Sequence, residues 1–100
     1  MLRESGGRQV AKQASEFPKI DLTTFFLSIS SAAFMGLGIG DANERRIDLD
    51  LARQNIDLLE LMQEKTRGNR TPEEDRLLEQ LLFETRLRYV ETQRNLEKKG

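Results

Sequence analysis

The chain contains no cysteine and no histidine. The first absence removes disulfides, and the two together remove the usual zinc, haem and iron–sulfur ligand sets. An enzyme built on this chain would have to work with carboxylates, lysine, tyrosine or hydroxyls. The acidic residues fall on the solvated faces of predicted helices, where nothing would tune their pKa values. No cofactor is therefore expected, nor a small-molecule substrate. Tryptophan is missing too, so no indole marks a membrane–water boundary. An excess of either charge is also lacking: 16 basic residues face 17 acidic ones, for a net charge of −1. That balance argues against a dedicated nucleic-acid binder.

The charges interleave along the chain. Residues 41–71 carry seven acids and six bases, and residues 72–100 repeat that count. Only residues 1–19 lean basic, and their polar, glycine-containing composition predicts a disordered arm ahead of a single helical domain over residues 20–100. One hundred residues bury a modest core. With disulfides and metals removed, oligomerisation is the stabiliser that remains. The lack of cysteine fits a cytoplasmic protein.

Against this polar background stands "LTTFFLSISSAAFMGLGIG", Leu22 to Gly40, without a single charge. It starts too far from Met1 for a signal peptide and lacks a small-x-small cleavage site. A membrane span needs about twenty apolar residues to cross roughly 30 Å. Here Ser, Thr and Gly make up eight of nineteen positions, and the glycines should stop the helix near Leu37. At about 1.5 Å per residue the helix reaches only roughly 24 Å. A buried helix is the better reading. Leu22, Phe25, Phe26, Ile29 and Leu37 would form one face, with Leu27 and Phe34 as a second patch. Thr24, Ser28 and Ser31 would bond back to the preceding turn. Ser28, Ala32 and Gly36 recur every four residues, a groove of small side chains where another backbone could come close. On this reading Ala32→Leu would overpack the contact.

Three helices are predicted, over residues 21–37, 48–66 and 72–97, giving an all-α fold. Asp21 or Thr23 should cap the first and Asp48 the second. Gly38 suits a left-handed cap, and Gly68-Asn69 should end the second helix. "TPEE", Thr71 to Glu74, is a capping box with proline at the first helical position. The short turn before it makes the last two helices antiparallel neighbours.

On the second helix Leu49, Leu51, Ala52, Ile56, Leu58, Leu59 and Met62 share about half the circumference. Asn55 lies near the middle of that arc, either bonding locally or fixing the register of a helical interface. On the third, Leu77, Leu78, Leu81, Leu82, Tyr89 and Leu96 form a stripe expected to face the second helix. Phe83, Leu87 and Val90 form another, roughly opposite. That second stripe must meet the first helix, a second subunit or solvent.

Two further motifs invite a chemical reading. "GLGIG", Gly36 to Gly40, resembles a phosphate loop but lacks the Lys-Ser/Thr and follows a helix instead of a strand. "EKTRGNR", Glu64 to Arg70, clusters Lys65, Arg67 and Arg70. Lys65 and Arg67 are expected to complement the negative end of the second helix. An anion site there would be opposed by Glu73, Glu74 and Asp75.

Three stretches carry a family resemblance: "DLTTFFLSISSAAFMGLG" at Asp21–Gly38, "IDLDLARQNIDLLELMQEKTRGN" at Ile47–Asn69, and "TPEEDRLLEQLLFETRLRYVE" at Thr71–Glu91. Over roughly Ile20 to Glu91 the chain resembles a small bacterial family catalogued as domain of unknown function 1844. The resemblance implies an all-helical bacterial protein of the cytoplasm and transfers no activity or site. The sequence as a whole therefore points to a non-enzymatic interaction or scaffold protein. It should form a homo-oligomer, most simply a dimer, with a further protein partner open. Phe25, Phe26, Ser28, Ile29, Ala32, Gly36, Asn55, Phe83, Leu87 and Val90 are the candidate interface residues. The alternatives are a peripheral membrane protein inserting Phe25, Phe26, Leu27 and Phe34, or an RNA-associated protein using the basic arm and the Lys65–Arg70 turn.

Overall fold

The computed structural model describes residues 20–39 and 46–99. Three helices account for most of them: α1 (Leu22–Gly36), α2 (Leu49–Lys65) and α3 (Pro72–Lys99). Each lies within two residues of its expected bounds, and no strand occurs among the described residues. The expected disordered arm, and residues 40–45 of the linker, lie outside the described residues.

Local chemistry accounts for where each helix starts and stops. The Asp21 carboxylate accepts the Thr24 amide at 2.9 Å, and the Asp48 carboxylate accepts that of Leu51 at 3.1 Å. Thr71 and Glu74 form the reciprocal capping box. The Thr71 amide donates to Glu74 Oε1 at 2.8 Å, and the Glu74 amide to Thr71 Oγ1 at 3.1 Å. α1 ends at Gly38, whose φ of 79° is the left-handed conformation. Its amide donates to Met35 O at 3.0 Å and the Ile39 amide to Phe34 O at 2.9 Å, the paired bonds of a Schellman stop. "GLGIG" is thus a helix terminator, as far as the described residues Gly36–Ile39 extend.

The three helices pack pairwise, each against both others. α2 and α3 form the expected antiparallel hairpin, tied across by Arg86, whose Nη2 lies 2.8 Å from Glu60 Oε2. The core cluster comprises Phe26 and Ile29 of α1, Leu59 of α2, and Leu78, Leu81 and Leu82 of α3. Leu22, Met62 and Leu77 pack against it.

Several face assignments change. Phe25, expected beside Phe26, is 41% exposed while Phe26 is fully buried. Ser28 is exposed and bonds back to Thr24 O at 3.0 Å, and Ala32 is only half-buried. The small residues actually inside are Ser30, Ala33 and Gly36. Helical geometry explains the shift: a four-residue repeat advances about 40° per step, so Ser28 and Ala32 have rotated out of the buried arc that Gly36 reaches. On α3, Leu96 is exposed, because it lies beyond the reach of the neighbouring helices. α3 continues ten residues past Tyr89, which borders the same surface pocket as Arg53, whereas α2 begins only four residues before Arg53. The stripe also has a member the sequence reading missed: Thr85 is fully buried. Its hydroxyl donates to Leu81 O at 2.8 Å, so the polar group enters the core without an unsatisfied atom.

Candidate interaction face on the third helix

Phe83, Leu87 and Val90 recur at i, i+4 and i+7 and so stand on one side of α3. They are 65%, 44% and 40% exposed. α1 does not cover them, and no other described part of the chain does. The three side chains border an open groove of about 480 Å³. Leu82 forms its buried floor, Gln63 of α2 joins one wall, and Glu79 and Arg94 mark its two ends. Arg86 also borders it, with its guanidinium held by Glu60. Among the described residues, Glu79 and Arg94 make no ion pair or hydrogen bond. The result is an apolar strip on a rigid helix with an acid at one end and a base at the other.

The remaining candidate residues are distributed elsewhere. Phe26 and Ile29 belong to the chain's own core and are not available to a second subunit or a bilayer. Gly36 is buried where α1 meets the backbone of α2. Asn55 is half-buried and donates to Leu51 O at 2.9 Å, the local bond. Beside it Leu51, Leu58 and Leu61 are partly exposed, so α2 carries a second, shallower apolar strip. On α1, Phe25, Leu27 and Met35 are exposed. No described helix is long and apolar enough to cross a membrane.

The basic cluster at the hairpin turn is resolved by Arg70, whose side chain is only 14% exposed. It donates to Gln63 O at 2.7 Å, to Thr66 Oγ1 at 2.9 Å and to Asp75 Oδ1 at 2.7 Å. Arg70 therefore hydrogen-bonds the carbonyl end of α2, where Lys65 also stands in the last turn as expected, and it carries the first turn of α3 with it. Arg67 instead pairs loosely with Glu64 at 3.7 Å on the surface. A guanidinium so engaged is not free to hold a phosphate.

The buried polar side chains among the described residues are Ser30 and Thr85, and both hydroxyls bond to main-chain carbonyls of the preceding turn. Arg53 has its pKa raised, first by the hydrogen bond to Tyr89 and then by Asp57, which only confirms a permanent cation on the surface. Among the described residues no group of acidic side chains is placed to hold a metal ion.

Comparison with curated proteins and with solved structures finds no match. The family model described as domain of unknown function (DUF1844) matches residues 19–91, and the chain belongs to that family.

Proposed function

We propose that this chain is a small, non-enzymatic interaction protein that works as a homo-oligomer, most simply a dimer, through the outward face of α3. The observation that carries the reading is the line of Phe83, Leu87 and Val90, exposed together over a groove floored by Leu82. Large side chains aligned on a rigid element differ from scattered surface apolar residues, because one partner can cover them all at once. Full burial of such a side chain contributes about 1.5–3 kcal/mol, and a partner gains the share that is still exposed on each of the three. The absence of cysteine and histidine adds support, since it leaves few other means of stabilising a chain this short. We propose the bacterial cytoplasm as its setting, which the lack of cysteine supports.

Two other readings lose ground on particular residues. Bilayer insertion would have to proceed without Phe26, which the core holds. RNA binding at the hairpin turn would have to proceed without Arg70. Light scattering at micromolar concentration decides the main point: a dimer mass is expected, and a folded monomer overturns the proposal. Flotation with anionic liposomes should leave the protein at the bottom of the gradient.

A further inference from the structure

We infer that two copies pair α3 against α3 in antiparallel fashion, with a two-fold axis running between the two helices at the level between Arg86 and Leu87. The inference rests on the proposed dimer and adds its geometry. At about 100° per residue, the residues from Arg76 to Glu97 that recur at three- and four-residue steps occupy a strip about 80° wide on the outward side. Phe83 and Val90 stand equally far from the axis, as do Glu79 and Arg94, and as do Arg76 and Glu97. In a two-fold interface residue i meets j wherever j meets i. The antiparallel pairing therefore sets Phe83 on Val90 of the second copy, about 5 Å from the axis. It sets Glu79 opposite Arg94 about 11 Å out, and Arg76 opposite Glu97 about 16 Å out. Apolar meets apolar at the centre, and opposite charges meet at both ends. Leu87 lies beside the axis and meets Leu87 of the second copy, while Arg86 is turned toward Glu60 of its own chain.

Competing arrangements fail on the same residues. A parallel pair puts Glu79 on Glu79 and Arg94 on Arg94, and like charges directly opposed disfavour a partner. An antiparallel shift of one heptad in one direction sets Phe83 on Glu97 and Arg86 on Arg94. A shift in the other direction sets Arg76 on Val90 and Glu79 on Leu87. The chosen register also gives a use to the stretch of α3 beyond Tyr89, which no helix of its own chain accompanies to the end. There, Arg94 and Glu97 reach the first turns of α3 of the second copy.

The chain has no native cysteine, so single thiols can be placed without background. An equimolar mixture of Glu79→Cys and Arg94→Cys, treated with a short bis-maleimide, should give a cross-linked dimer, whereas neither variant alone should. At low salt, Glu79→Arg and Arg94→Glu should each weaken the dimer on the order of tenfold, because each repulsion is met twice. Their one-to-one mixture and the double variant should recover. Glu79→Cys cross-linking to itself, or no cross-link in a chain that is dimeric by light scattering, overturns the antiparallel register and leaves the dimer standing. A monomeric parent chain overturns both.

Discussion

Gly36 lies against the backbone of Ala52. A β-carbon on Gly36 would fall 2.7 Å from the Ala52 nitrogen and 2.8 Å from Asp48 O. The Gly36 carbonyl meanwhile accepts the Asp48 amide at 2.7 Å. The last turn of α1 is thus seated directly on the first turn of α2.

Gly36→Ala sets two effects against each other. Alanine in a helix is favoured over glycine by about 1 kcal/mol. Here the added carbon meets main chain, which cannot rotate away, and overpacking of this kind costs about 1–3 kcal/mol or more. The expected net is a loss of about 1–2 kcal/mol in urea denaturation, whereas Ala32→Leu, on a half-buried position, should cost much less. A stabilised Gly36→Ala would show that the two helices part without penalty.

Arg70→Ala should destabilise the hairpin by about 1.5–3 kcal/mol, the range for hydrogen bonds to a charged group. The Gln63 carbonyl and Asp75 both lose a partner in this variant. Arg70→Lys should recover little, because an ammonium lacks the planar fork that reaches both at once. Denaturant midpoints for the two variants that match the parent would mean the turn is held by its caps alone.

Thr85→Val should be tolerated, within about 1 kcal/mol of the parent. The shape is kept, and the Leu81 carbonyl that loses the hydroxyl remains within the helical hydrogen-bond ladder. Thr85→Ala should be the worse of the two, since it removes buried volume in place of a compensated polar group. Thermal unfolding of the pair gives the order directly.

Leu87→Glu separates folding from assembly. Its circular dichroism should match that of the parent, because Leu87 is 44% exposed and stands outside the core cluster. Its mass should fall to that of a monomer, and its unfolding midpoint should lose any dependence on protein concentration. An unchanged mass would remove α3 from the interface.

Helix number and helix ends were legible in the residues, because each depends on contacts within four positions, and the hairpin was legible because the turn joining α2 to α3 is short. Asp21, Asp48 and the Thr71–Glu74 box act on amides three residues away, and Gly38 and Gly68 act on their own backbone. The outward strip Phe83–Leu87–Val90 was legible for the same reason: helical phase alone separates it from the leucine stripe. Three things were decided only when the helices met. Which small residues of α1 lie inside, Ser30 and Ala33 in place of Ser28 and Ala32, depends on how that helix is rotated about its axis against α2 and α3. A four-residue repeat in sequence carries no information about that rotation. Whether Thr85 enters the core depends on its phase between Leu82 and Tyr89, a signal that a count of apolar residues passes over. And the choice of Arg70 over its neighbours depends on the turn folding back to bring the carbonyl of Gln63 and the carboxylate of Asp75 to one guanidinium. Local hydrogen bonds are set by order along the chain, whereas rotation and apposition are set by packing between elements distant along it.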